Sequence, residues 1–323
     1  MREYQLTDEV LGYVTAENPT NTDARNLVAG SRNVLIDQQR KVKTRHGYSY
    51  FGAVNAALTP VRNGATWNTS TGTEIMLRAY DDTLEFYDEN TSAWAKVADG
   101  FSTTAKPRFA TWFDATENID ELIFVWGDAN MYEWSGAVAV VDSLTATTVT
   151  KTGTTTFAQE RFYTAANKTV VCVRTGTEYT YTGGETTTTL TGIADTTGLV
   201  AGDVLIQKIV TNTNKPAASR VNNYIYNFEN QICIASDTDE LVYISKNTDY
   251  TNFSYSTPRV PGEGALLTLD GKVNGFGTIN DKLVVFAGKS SIFQANYVAL
   301  TVGSTKTETV EVKKYFVGVN QSA

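Results

Sequence analysis

Leu77-Arg-Ala-Tyr-Asp-Asp-Thr-Leu-Glu-Phe-Tyr87 is an apolar strand, a short polar turn and a second strand with an aromatic end. The phrase recurs as Leu122-Ile-Phe-Val-Trp-Gly-Asp-Ala-Asn-Met-Tyr-Glu-Trp134. It returns as Ile232-Cys-Ile-Ala-Ser-Asp-Thr-Asp-Glu-Leu-Val-Tyr-Ile-Ser245 and as Leu283-Val-Val-Phe-Ala-Gly-Lys-Ser-Ser-Ile-Phe-Gln294. Copies one and two start about 45 residues apart and copies three and four about 50, and a hairpin period of roughly 40 to 50 residues marks β-propeller blades. One hairpin cannot bury its apolar face alone, so the copies must stack around a shared core. The expected fold is therefore all-β, a β-propeller. Four copies fall short of a ring of six or seven, so either the chain is part of a longer protein or partners complete its ring.

Around these copies the chain divides. Residues 1–60 read as an extended lead-in with a hairpin: strands over Arg32–Asp37 and Lys41–Arg45, joined by a turn through Asp37-Gln-Gln-Arg40. Blades are expected over 61–144 and 216–323. Between them, 145–215 is rich in Thr and Gly, as in Thr175-Gly-Thr-Glu-Tyr-Thr-Tyr-Thr-Gly-Gly184. Its short alternating strands predict a small inserted β domain rather than a disordered tract. No long segment shows a 3.6-residue period, so helix should be scarce.

Charged residues make up 19 % of the chain and the net charge is −8. That balance argues against a surface that coats nucleic acid. No stretch approaches the length of a membrane helix, and the opening Met1–Asp8 has no apolar signal region. Cys172 and Cys233 lie in alternating apolar strands and are expected as buried thiols, consistent with a reducing compartment.

A search for chemistry finds little. The one histidine, His46, ends a basic strand beside Gly47, a poor place for a triad base. One histidine and two strand cysteines do not supply a zinc site. Asp81-Asp82 and Asp237-Thr-Asp-Glu240 lack the frame of a calcium loop and read as hairpin turns. Asp114–Glu117 and Asp120-Glu121 read as solvated loop acids. Gly262-Glu-Gly264 and Gly288-Lys-Ser290 lack the surroundings of nucleotide loops. No catalytic residue, metal ligand or cofactor is expected. The basic run Arg40–His46 stands out in an acidic chain. Lys41, Lys43, Arg45 and His46 are the candidate contact on a neighbouring subunit.

Asn26-Leu-Val-Ala-Gly-Ser-Arg-Asn-Val-Leu-Ile-Asp37, followed by Arg45-His-Gly-Tyr48 and Phe51-Gly52, resembles the start of bacteriophage tail proteins of the tail nozzle, or phage stabilisation, family. That pattern usually closes on Arg-Pro-Gly or Arg-Asp-Gly, where this chain has Arg45-His46-Gly47. Asp239–Ser245, Asn252-Phe253, Val273–Gly277, Leu283–Phe286 and Ser291–Phe293 follow the family's order, and the inserted segment resembles the small β domain such proteins carry. The resemblance implies a non-catalytic virion protein, made in the host cytoplasm. It implies a ring, usually a hexamer, at the DNA exit channel, with copies of itself and neighbouring tail or portal-adaptor proteins as partners. DNA would be present only in transit. The alternative is a carbohydrate-binding or glycan-cleaving propeller for host recognition, marked by a groove with aromatics and two facing carboxylates.

Overall fold

The computed structural model describes residues 53–316, apart from 56–57, 90, 213–215, 217–219, 289–290 and 303–304, and before them the backbone of four short strands. Those four lie in a unit spanning Met1–Phe51. β1 (Gly12–Val14) pairs in parallel with β2 (Asn26–Val28), and β3 (Val34–Ile36) pairs antiparallel with β4 (Val42–Thr44), with Leu35 opposite Lys43. The hairpin of the lead-in is thus present, with strands shorter than expected.

The second unit, Gly52–Ala323, contains four-stranded antiparallel meanders. The first runs β5 (Val61–Asn68), β6 (Glu74–Tyr80), β7 (Thr83–Asp88) and β8 (Ala93–Ala98). The second begins with β9 (Arg108–Asp114), β10 (Ile119–Val125) and β11 (Met131–Trp134), and then the chain leaves it. β12 (Val138–Leu144), β13 (Val149–Lys151), β14 (Thr169–Cys172), β15 (Glu178–Thr180), β16 (Thr189–Leu190) and β17 (Val204–Gln207) form a separate six-stranded sheet in the order β15-β14-β17-β12-β13-β16. The chain returns as β18 (Val210–Asn212), which takes the fourth place, beside β11. The third meander is β19 (Tyr224–Phe228), β20 (Gln231–Ala235), β21 (Leu241–Ile244) and β22 (Ala265–Thr268). The fourth is β23 (Val273–Ile279), β24 (Lys282–Ala287), β25 (Ser291–Val302) and β26 (Thr305–Phe316). There is no helix among the described residues.

The four repeated phrases are the second and third strands of the four meanders. In the second and third meanders these middle strands are covered on both faces, which is why they read as nearly continuous apolar runs. In β10, Leu122 and Phe124 face the first meander and join Trp67, Leu77 and Phe86. Ile123 and Val125 point the other way and meet Ile225, Ile232 and Ile234 of the third. Cys233, Val242 and Ile244 then pack on Leu283, Val285 and Phe293 of the fourth. The period-two alternation of a strand therefore builds three successive apolar layers. The first strands follow one another too: β5 lies beside β9, β9 beside β19, and β19 beside β23. Two of the tight turns, at Glu229-Asn230 and Asn280-Asp281, have positive φ at both central residues, the primed turn that matches strand twist.

The inserted sheet has its own core, with Phe157, Phe162, Val170, Tyr181 and Leu205 fully buried. It starts at Val138 and ends at Gln207, whereas composition placed the insertion at 145–215. Val138-Ala-Val-Val alternates as a blade strand would, and only its pairing with β17 shows where it belongs. Close packing here needs glycine at Gly184: φ is +93° and a Cβ would lie 2.0 Å from the Thr189 carbonyl oxygen.

Trp94 is half-buried, and Trp112 and Trp126 are buried. Phe286 is not: it stands 40 % exposed on the outward face of β24, because Leu283, Val285 and Ala287 take the inward positions. Both cysteines are buried free thiols, and burial pushes the Cys233 thiol far above its ordinary range.

Candidate functional site

Of the candidate contact residues, Lys43 lies on β4, opposite Leu35. Lys41, Arg45 and His46 lie outside the described residues. The described chemistry gathers elsewhere, in the second meander and its neighbours.

Asp120 and Glu121 are not loop acids, because β10 already begins at Ile119. Asp120 accepts from the Trp67 indole Nε1 at 3.1 Å, from the Ser70 amide at 2.9 Å and hydroxyl at 2.5 Å, and from Arg161 Nη1 at 3.0 Å. Burial raises its pKa, but the donors from Ser70 and Arg161 outweigh that and hold it at about 2. One carboxylate thus ties the first meander, the second and the insertion together. Glu117 adds a second tie, accepting from the Thr164 amide and hydroxyl and from the Ala165 amide at 2.7–2.8 Å.

On the opposite face of the same sheet, Glu121 and Glu133 form a buried acid pair. Glu133 accepts from the Tyr163 hydroxyl of the insertion at 2.6 Å and from the Tyr250 hydroxyl of the third meander. Glu121 is fully buried, and among the described residues neither of its carboxyl oxygens has a partner within hydrogen-bond geometry. Burial, then the charges of Glu133 and Asp114, push its pKa up to about 10. Burial raises Glu133 too, against the hydrogen bonds that favour its anion. Glu121 therefore carries the proton and Glu133 is the better anion. The pair has the chemistry of a proton-sharing dyad but no exposure to a substrate, and no set of three acids, histidines or cysteines among the described residues is placed to hold a metal. Glu133 interrupts an apolar strand in the second copy, the one sign of the pair in the sequence.

The acidic turns are structural. Asp239 is bidentate to Arg220 at 2.9 and 3.1 Å, and Asp81 occupies a positive-φ turn position. A cleft of about 540 Å³ in the third meander is lined by Tyr243, Phe253 and Tyr255. Its one carboxylate, Asp249, accepts from the Thr251 amide and hydroxyl. A second facing carboxylate, which glycan cleavage needs, is not part of that lining.

Two surfaces remain open. The starting ends of β5, β9, β19 and β23 enclose one cavity of about 340 Å³, walled by Arg108, Tyr224, Tyr226 and Phe276 among others. The outward side of the fourth meander exposes Ile279, Phe286 and Tyr315.

No protein-family model matches the chain, and no curated protein matches it significantly.

Proposed function

We propose that this protein is a structural component of a bacteriophage tail, a nozzle or tail-tube protein that assembles with copies of itself into a ring around the DNA exit channel. In this reading the four meanders are propeller blades. Their first strands lie side by side about an axis, and the six-stranded sheet is an insertion within the second blade. The ordered motifs of the sequence support the family. The observation that carries assembly is the outward face of the fourth meander. It leaves Ile279, Phe286 and Tyr315 exposed on one face of the sheet, where a folded chain gains by covering them. The basic strand around Lys43 supplies charge complementarity, which sets orientation more than affinity.

Light scattering after size exclusion, with negative-stain images, tests this. A closed ring is expected for the wild type. Phe286→Glu and the double variant Lys43→Glu/Arg45→Glu should each shift the ring towards folded monomer. A wild type that stays strictly monomeric would refute the reading, and normal rings from the double variant would remove the basic strand from the contact.

A further inference from the structure

We propose that the axial cavity binds an acidic sugar residue, its carboxylate on the Arg108 guanidinium and its ring against aromatic walls. The inference rests on the cavity alone and does not depend on ring assembly.

The charge pattern comes first. Acidic residues number 35 against 27 basic ones, so a guanidinium should find a carboxylate easily. Arg78, Arg161, Arg174, Arg220 and Arg259 each do. Among the described residues the side chains of Arg62 and Arg108 make no ion pair or hydrogen bond, and of the two only Arg108 lines this cavity. Its exposed guanidinium lies 5.7 Å from the centre of the Tyr224 ring. The Tyr224 hydroxyl also has no partner among the described residues, so two donors without acceptors border one cavity.

The walls suit a sugar ring. Tyr226 and Phe276 stack with centroids 6.2 Å apart, and the Tyr226 hydroxyl is tied to Thr278 at 2.8 Å. They present fixed apolar faces to the C–H side of a pyranose. The rim amides are already spent on backbone: Asn63 donates to the Pro107 carbonyl at 2.8 Å and Asn274 to the Gly288 carbonyl. Free donors are therefore concentrated at Arg108 and Tyr224. A volume of about 340 Å³ is at the low end of ligand sites, roughly 300–1,000 Å³, and fits one sugar unit.

The backbone is shaped around this space. β5 and β23 each carry a register shift at their starts, at Arg62 and at Asn274, and such bulges cluster at sites where a strand must re-aim. Phe276, just past the second of these shifts, pairs with Val285 and turns its ring to the inward side, towards Tyr226. A neutral sugar would leave the guanidinium unpaired, and a bare phosphate would leave the aromatic walls unused.

Isothermal titration and saturation-transfer NMR of the full chain would use methyl glucuronoside, methyl glucoside and sodium phosphate. The glucuronoside should bind saturably, one per chain, at least about tenfold tighter than the glucoside. Arg108→Gln should lower the glucuronoside to the glucoside's level. Phe276→Ala should weaken both sugars alike with an unchanged far-UV spectrum. No saturable binding, equal affinity for the two sugars, or wild-type affinity in both variants would overturn the proposal. If phosphate displaces the glucuronoside at equal concentration, the site reads charge alone and the sugar assignment fails. Should Arg108→Gln misfold, the comparison of the two sugars on wild-type protein and the Phe276 variant still decide.

Discussion

Replacing Glu121 by Gln should make the protein more stable at neutral pH, and the gain should grow with pH. The folded protein holds a proton on Glu121 well above the ordinary value of 4.5, because the group is fully buried beside Glu133 with no donor of its own. An unfolded chain releases that proton near 4.5. Below that value both states are protonated and the stability linked to Glu121 is fully present. Above it, the folded state must retain a proton that the unfolded state gives up, and stability falls by about 1.4 kcal/mol per pH unit until the folded pKa is reached. At pH 7 the loss is about 3 kcal/mol, whatever the folded value, provided that value lies above 7. Gln keeps the shape without the ionisation. Urea unfolding of both proteins should show a gap under about 1 kcal/mol at pH 5 and about 3 kcal/mol at pH 7, the latter a midpoint shift of roughly 6–12 °C on heating. A gap that does not change with pH, or a variant less stable than wild type at pH 8, would refute the reasoning.

Trp126→Ala should cost about 3–5 kcal/mol, since the ring is fully buried, stacks on Phe101 at 4.4 Å and donates to the Ser102 carbonyl at 2.9 Å; denaturant titration measures it. Asp120 works with the opposite sign from Glu121: its lowered pKa gives stability that is present above about 3.8 and lost as the pH falls through about 2. Asp120→Asn should lower stability at pH 7 and flatten the acid limb of an unfolding curve followed by circular dichroism. Joining Ser135 to Ile209 through a short Gly/Ser linker should leave a soluble, less stable protein, because β18 is retained. Removing 145–215 instead should give aggregate, because it takes β18 and leaves β12 without β17; equal solubility of the two deletions would contradict the sheet assignment.

The middle strands of the meanders were legible because most of their side chains are buried, in the second and third meanders on both faces. Leu122–Val125, Ile232–Ala235 and Leu283–Val285 carry apolar side chains at every position, and the polar turn between two such runs marks the hairpin. The first and fourth strands were less visible. β5 holds Arg62, Asn63 and Gly64, and β26 alternates charge with Thr and Val, because each has residues turned towards solvent. The insertion boundary failed for a related reason. A strand that changes sheets keeps its alternation, so Val138–Val141 looks like more of the blade until its partner is known. Phe286 shows the limit of an apolar run: hydrophobicity alone does not say which face of an edge meander is covered.

The polar junctions were hidden because their partners are distant in sequence. Asp120 meets Trp67, Ser70 and Arg161, and Glu133 meets Tyr163 and Tyr250. No local pattern links such residues, and a charge near a turn is ordinarily solvated. What makes them necessary is the interruption of the second meander. Its fourth strand is only three residues long and arrives after a detour of six strands, so β-ladder bonds alone tie it weakly to its sheet. Trp134 donating to the Gln207 carbonyl at 3.0 Å and Gln207 donating to Asn167 and Thr169 anchor the return path. Tyr163 and Arg161 hold the detour to both faces of the second meander. Buried polar ties fix one register where apolar contact would accept several, since a displaced donor leaves its acceptor unpaired at a cost of about 1–3 kcal/mol. The insertion is thus held by specific hydrogen bonds at its base, by its own apolar core on one face of its sheet, and on the other face by Val138, Val171, Val204 and Ile206, which pack on the apolar layer between the first two meanders.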